Sequence, residues 1–353
     1  MAENKLPWIE TPLVWSRSIS KAAGCNVYLK LENTQPSGSF KSRGIGNFLK
    51  ARLAESAAQG HGKPTHFFCS SGGNAGLACV HAAVTLSCPA TIVVPLSTSD
   101  YMIQKLRDAG AKDVIQIGKS WFEADQYLKE TLLPKASESG ENAVYTPPFD
   151  HPDIWAGNAT VIDEIAKQLP EVDRHYPVVA KEPNSISSAA PDAIVCSVGG
   201  GGLFNGIMQG VAKNFSSSPP HIIATETFGA DSLAQSFQAG ELITLPAITS
   251  IATTLGARTV SRQAFEYAMD KKAVTCAVFE DKDAVDACRR FADDERILVE
   301  PSCGVALAVC YMGRLKQLMP RLTEDSKVVV VVCGGSGMST EILRGYVEKF
   351  FPP

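Results

Sequence analysis

AIVCSVGGGGLFNGIMQGVA, residues 193–212, sets the architecture: an unbroken apolar run, four glycines, then apolar residues at helical spacing. An unbroken apolar run suits a parallel strand covered on both faces, because neither face meets water. A glycine loop between such a strand and a helix gathers bare backbone N–H groups at the helix N-terminus, where the dipole favours an anion. Four glycines in a row are costly to order, which favours a phosphate cradle over an idle loop. The stretch lacks the Gly-Lys-Ser/Thr ending of a nucleotide P-loop, and Phe204 and Asn205 stand where a strict GxGxxG would place its last glycine. Glu226, at the end of the following apolar run, suits the ribose-binding acid of a nicotinamide dehydrogenase, so that reading stays open.

On either side, similar runs recur between helical patterns: THFFCS at 65–70, ATIVVP at 90–95, DVIQIG at 113–118, HIIATE at 221–226 and KVVVVVC at 327–333. The expected class is α/β, with open, twisted, mostly parallel sheets flanked by helices. Ile45, Phe48, Leu49 and Leu53 mark one helix, and Val305, Leu307, Ala308 and Tyr311 another opened by Pro301 and Ser302. The polar, Ser- and Pro-rich stretch 167–191 reads as an exposed loop.

Whole-chain properties narrow the function. With 353 residues and 45% hydrophobic content the chain can build one large core or two smaller ones. Thirty-three basic against 37 acidic residues, with no basic block, exclude nucleic acid as an expected partner. Ten cysteines lie without CxxC pairs or zinc-site spacing, and six histidines are scattered without ligand spacing, so reduced thiols and bland histidines are expected. The opening MAENKLPWIETP lacks signal-peptide and transit-peptide character, and the longest purely aliphatic stretch, 328–332, is too short to cross a bilayer. The expectation is a cytoplasmic enzyme acting on a small molecule, without a membrane.

Three further segments sit at the ends of apolar runs or at helix starts, where open parallel sheets place ligands. Ser37-Gly38-Ser39-Phe40-Lys41 puts a lysine where a helix should begin, against the macrodipole, although as a lone string it reads as a solvated loop. Ser70-Ser71-Gly72-Gly73-Asn74-Ala75-Gly76 follows a strand and opens a helix; alone it is equally an anion site or a tight turn. Cys333-Gly334-Gly335-Ser336-Gly337 closes the most hydrophobic strand, where an isolated cysteine is more often simply buried.

Together, QPSGSFKSRG, SSGGNAG, ATIVVP, YTPPFD, SVGGGG, ETFGA, DDERILVEPSCG and VVCGGS, in this order and nearly end to end, make the chain resemble the serine and threonine dehydratases. These are pyridoxal-phosphate enzymes of fold type II, the tryptophan-synthase β-type fold. The resemblance implies a large cofactor-binding domain from 1–40 with 146–353, a small inserted domain at 41–145, and a homodimer. It implies a lyase of amino-acid catabolism that converts L-serine, and secondarily L-threonine, to pyruvate or 2-oxobutanoate and ammonia. A β-replacing synthase of the same fold, or a catalytically silent cofactor-binding protein, is the alternative.

Carried over by resemblance, Lys41 is the Schiff-base lysine and α-proton base, and Phe40 packs against the cofactor. Asn74 bonds its 3'-oxygen. Gly199, Gly200, Gly201 and Gly202 with Leu203 hold its phosphate, and Cys333 meets the pyridine nitrogen. Ser39, Ser71, Gly72, Gly73 and Asn74 hold the substrate. Racemases of the fold carry a serine as second base where this chain has Gly72, so slow racemisation is implied; some serine dehydratases have alanine there. A monovalent cation such as K+ is implied at carbonyls of Gly199, Ala230, Leu255 and Ala257 with Ser232, or a divalent ion recruited by Glu226.

Overall fold

The computed structural model describes residues 5–60, 62–175 and 190–352. Within them ten strands follow in chain order: β1 (Leu13–Trp15), β2 (Asn26–Lys30), β3 (Thr65–Cys69), β4 (Ala90–Val94), β5 (Asp113–Gln116), β6 (Asn142–Tyr145), β7 (Ala193–Ser197), β8 (His221–Thr227), β9 (Val274–Phe279) and β10 (Lys327–Val331). Six form a sheet in the order β1-β2-β10-β7-β8-β9 and four a second sheet, β5-β4-β3-β6. Every pairing is parallel except that of β1 with β2. The expected α/β class with two mostly parallel sheets is the one found. Two compact units result: one joins the residues up to Ile9 with Gln35–Asn158, the other joins Glu10–Thr34 with the residues from Ala159 onward.

The four-stranded sheet belongs to the first unit. Strand alternation sends Phe67 and Ile92 to one face, beside Ile45, Leu49, Leu77 and Val80 of the helices Lys41–Ala58 and Asn74–Thr85. Their neighbours Phe68 and Val93 go to the other, beside Ala124 and Leu128. A side chain as large as Phe67, fully buried, contributes about 1.5–3 kcal/mol. This double burial explains the consecutive apolar residues of β3 and β4, Phe67-Phe68 and Ile92-Val93-Val94.

In the second unit β10 sits between β2 and β7, with Val328 aligned to Val27 and to Ala193. All five residues of β2, β7 and β10 are buried. β2 was not foreseen because it ends in a lysine, which periodicity reads as facing water. Lys30 is instead fully buried, its Nζ donating to Glu164 at 2.6 Å, Gln168 at 2.8 Å and the Thr11 carbonyl at 2.7 Å. β1, β6 and β9 also escaped sequence reading, being short or only partly buried.

The loop expected over 167–191 is corrected over its first part. The helix Pro152–His175 runs on through Pro170. An internal proline removes one helical hydrogen bond, yet side chains on this turn are tied to the sheet: Gln168 accepts from Lys30, and Asp173 accepts from the Tyr28 hydroxyl at 2.6 Å. Residues 176–189 of that expectation, and His61, lie outside the described residues. Among the described residues no helix is long and apolar enough to cross a membrane.

Candidate functional site

In the first unit Lys41 is the first residue of its helix, preceded by Phe40 in helical conformation with no side-chain cap. Gly38, at φ +78°, makes the turn before it, its N–H donating to the Gln35 carbonyl at 2.7 Å. The hydroxyls of Ser37 and Ser42 lie 2.7 Å apart and brace that turn across the helix start. Lys41 Nζ donates to the Pro148 carbonyl at 2.5 Å and lies 5.4 Å from the Phe40 ring centroid. A carbonyl dipole thus steadies an ammonium that the helix N-terminus disfavours. Ser39 Oγ is buried and has no hydrogen-bond partner among the described residues. A buried hydroxyl left so is costly unless something fills the space before it.

β3 ends at Cys69, and the half-buried residues 71–74 lead into the helix Asn74–Thr85, whose start carries no side-chain cap. The turn is tight: a Cβ at Gly76 would lie 1.9 Å from the Ser71 carbonyl oxygen. A Cβ at Gly72 would lie 2.9 Å from Thr98 Cγ2 and 3.0 Å from Val94 Cγ1. The helix N-terminus and the Ser71 hydroxyl, which accepts from Gly73 N at 3.4 Å, leave an electropositive turn suited to a carboxylate.

In the second unit the glycine loop follows β7. Gly201 precedes the helix Gly202–Asn214 at φ +94°, a region that only glycine enters without strain. A Cβ there would stand 2.5 Å from Ala264 Cβ, and one at Gly199 3.0 Å from Leu255 Cα. Ser261 N donates to the Gly200 carbonyl at 3.0 Å, and Asn205 Nδ2 donates to Ser261 Oγ at 3.0 Å. Asn205 Oδ1 is buried without a partner among the described residues. Leu203 is buried in the first turn.

Cys333 lies beyond the end of β10, its Sγ 3.4 Å from the Ser197 hydroxyl. Burial pushes its thiol up to about 11, so it stays protonated at neutral pH and offers at most a weak hydrogen bond. The segment after it is moulded on Glu300, which sequence reasoning did not single out. Glu300 accepts from Gly337 N at 2.7 Å, Thr254 Oγ1 at 2.8 Å and Ser302 Oγ at 3.2 Å. A Cβ at Gly335 would fall 2.3 Å from Glu300 Cδ. The available sequence signal was an acidic residue directly before Pro301 of a largely apolar helix.

The residues carried over for a cation lie in the same unit. Ser232 Oγ is buried without a hydrogen-bond partner among the described residues. The Leu255 carbonyl accepts from Ala257 N at 2.7 Å, and Ala230 N donates to the Thr227 carbonyl at 2.9 Å. Both oxygens of Glu226 are taken, by Leu233 N at 2.9 Å and Ala234 N at 2.8 Å. Burial pushes its carboxyl up to about 8 against the pull of those two amides. Among the described residues no cluster of three His, Cys, Asp or Glu could hold a metal ion.

The family model described as "Pyridoxal-phosphate dependent enzyme" matches residues 5–334. The L-serine dehydratase of Saccharomyces cerevisiae strain AWRI1631 is 39% identical over 94% of both chains. The human L-serine dehydratase/L-threonine deaminase is 40% identical over 97% of this chain and 95% of its own. Among solved structures, a fungal L-serine ammonia-lyase from Rhizomucor miehei superposes with a TM-score of 0.83 at 34% identity, covering 98% of this chain and all of the other.

Proposed function

Because the chain belongs to the pyridoxal-phosphate dependent enzymes, we propose that it is an L-serine ammonia-lyase, with L-threonine as secondary substrate. One observation carries this reading furthest: Lys41 stands at a helix start with its Nζ held by a carbonyl, two residues after Ser39, whose buried hydroxyl has no hydrogen-bond partner among the described residues. The named activities of the yeast, human and fungal relatives supply the substrate class.

The residues present fit the cofactor. The loop 199–202 is closed to side chains where Gly201 approaches Ala264, and leaves backbone N–H groups for a phosphate at a helix N-terminus. Lys41 would carry the cofactor with Phe40 beside it, Asn74 would bond its 3'-oxygen, Leu203 would close the phosphate loop, and Cys333 would face its ring nitrogen. When bound, pyridoxal phosphate supplies the electron sink that makes the amino acid's α-proton removable. A protonated thiol at Cys333 withholds a full positive charge from that ring, which favours prompt elimination over a long-lived carbanion.

The protein's own part is orientation and proton transfer. The turn 71–74 with Ser39 holds the substrate carboxylate and ammonium-bearing carbon, and Lys41 Nζ takes the α-proton. The β-hydroxyl leaves as water, and hydrolysis of the released enamine yields pyruvate and ammonia. Gly72 offers no second base, so racemisation is slow. The carbonyls of Gly199, Ala230, Leu255 and Ala257 with Ser232 would take a monovalent cation such as K+, supported by a Ser232 hydroxyl that has no hydrogen-bond partner among the described residues. A homodimer, a cytoplasmic location and a catabolic role belong to the same reading. So does the division into a small inserted domain at 41–145 and a large domain from 1–40 with 146–353; in its support, the four-stranded sheet lies wholly within 41–145.

The test is the purified protein's visible absorbance together with pyruvate release from serine, with and without sulfide. A lysine-linked cofactor band that Lys41→Ala abolishes, and pyruvate formed without an added nucleophile, are expected. A band that survives Lys41→Ala overturns the assignment of Lys41. Serine consumption only when sulfide is present would turn the reading to a β-replacing synthase.

A further inference from the structure

The turn 71–74 does not stand alone on its strand. Ser70, the residue immediately before it, is buried, and its hydroxyl donates to Asp125 Oδ1 at 2.6 Å. The same oxygen accepts from the Tyr145 hydroxyl, at the end of β6, at 2.8 Å. The other carboxylate oxygen pairs with Lys129 Nζ at 2.7 Å. Asp125 comes from the short helix Trp121–Tyr127 and is itself buried. One carboxylate therefore clamps the carboxyl ends of two neighbouring strands, β3 and β6, at the level where β3 gives way to Ser71. Ser70 leads directly into the helix-starting turn, where Gly76 packs against the Ser71 carbonyl and Ser71 Oγ accepts from Gly73 N.

We propose that Asp125 is a positioning residue for substrate recognition: through Ser70 it fixes the turn 71–74 that receives the amino-acid carboxylate. This rests on the reading of that turn given above. Asp125 touches neither substrate nor cofactor; it acts by setting where the backbone N–H groups and the Ser71 hydroxyl point. Buried hydrogen bonds to a charged acceptor are among the stronger ones, and a turn freed of this one samples orientations that bind a carboxylate poorly. Lys129, half exposed, is solvated without its partner, so losing the ion pair adds little.

The experiment uses the holoenzyme and four variants, Asp125→Ala, Asp125→Asn, Ser70→Ala and the double variant Ser70→Ala/Asp125→Ala, with Ser71→Ala as reference. Two quantities are read. One is the affinity for L-alanine, which carries the substrate's ammonium and carboxylate but no β-hydroxyl, followed by the change in visible absorbance. The other is kcat and KM for L-serine. Asp125→Ala and Ser70→Ala should each weaken L-alanine binding and raise KM by about tenfold, leaving kcat within about threefold. The double variant should be no worse than either single one, since both remove the same link. Asp125→Asn keeps an acceptor oxygen for Ser70 and should stay within about threefold of the parent. If Asp125→Ala does not fold, Ser70→Ala and Asp125→Asn decide by the same criteria. L-alanine affinity reduced by Ser71→Ala but unmoved by the Asp125 and Ser70 variants, or additive losses in the double variant, overturns the inference alone. Affinity unmoved by Ser71→Ala as well removes the reading of the turn and the inference with it.

Discussion

Gly201→Ala tests the phosphate loop where the structure makes the cost calculable. Two penalties combine. At φ +94° a residue with a side chain pays about 1–2 kcal/mol for a left-handed backbone. The new methyl would also stand 2.5 Å from Ala264 Cβ and 3.0 Å from Ser261 Oγ, and overpacking of that kind costs about 1–3 kcal/mol. The sum is roughly 2–5 kcal/mol, which in cofactor affinity is roughly 30- to several-thousandfold if the free loop relaxes and must be restored on binding. If the loop is instead held rigid without cofactor, the same energy appears as a lower Tm of the apoprotein. The assays are pyridoxal-phosphate titration by absorbance and thermal unfolding of both apo and loaded protein. Ala264→Gly in the Gly201→Ala background removes the closest contact but neither the approach to Ser261 Oγ nor the backbone strain, and should recover at most about half the loss. Parental Tm and parental cofactor affinity in Gly201→Ala would refute the assignment of this loop as a closed cradle; full recovery by Ala264→Gly would show that backbone strain contributes nothing.

Three other outcomes follow from the same geometry. Gly72→Ala places a methyl 2.9 Å from Thr98 Cγ2 and 3.0 Å from Val94 Cγ1, and should lower stability by about 1–3 kcal/mol, with Thr98→Ala restoring part of it in thermal unfolding. Lys30→Met should destabilise by about 3–5 kcal/mol in denaturant titration because it strands Glu164 without its buried cation, whereas adding Glu164→Leu should return much of that loss. His66 is held below its ordinary value of 6.5, first by burial and against the raising effect of Glu141, so the folded state resists its protonation. Its contribution is present above 6.5 and lost as pH falls below it, and the Tm of His66→Gln should fall less than the parent's between pH 7 and 5.

What could be read without a structure was local and contiguous. β3, β4, β7, β8 and β10 were legible because both of their faces are buried, which leaves several consecutive apolar residues in each; β5, only partly buried, was legible from the same kind of run, DVIQIG. The helix starts at Lys41 and Asn74, the glycine loop and the Cys333 strand end were legible because chain chemistry at such junctions spans only a few consecutive residues. β2 was not, since a buried lysine looks solvent-facing until its partners across more than a hundred residues are known. The helical turns beyond Lys167 were hidden by Pro170 for the same reason: Tyr28 and Lys30 hold them from a distant strand.

The amino-acid sequence by itself determined which residues could carry chemistry: a lysine at a helix start, a serine and glycine turn, four glycines and a terminal cysteine. Tertiary structure alone decided what holds each of them. Pro148 engages Lys41 across 107 positions, and Asp125 engages Ser70 across 55. Glu300 moulds the backbone after Cys333, and Ser261 pins Gly200. The physical reason is that a reactive side chain is specified by its own type and its neighbours in the chain. Its orientation depends on buried hydrogen bonds from elements far away in sequence, where any acceptor of suitable shape would serve and none announces itself in advance.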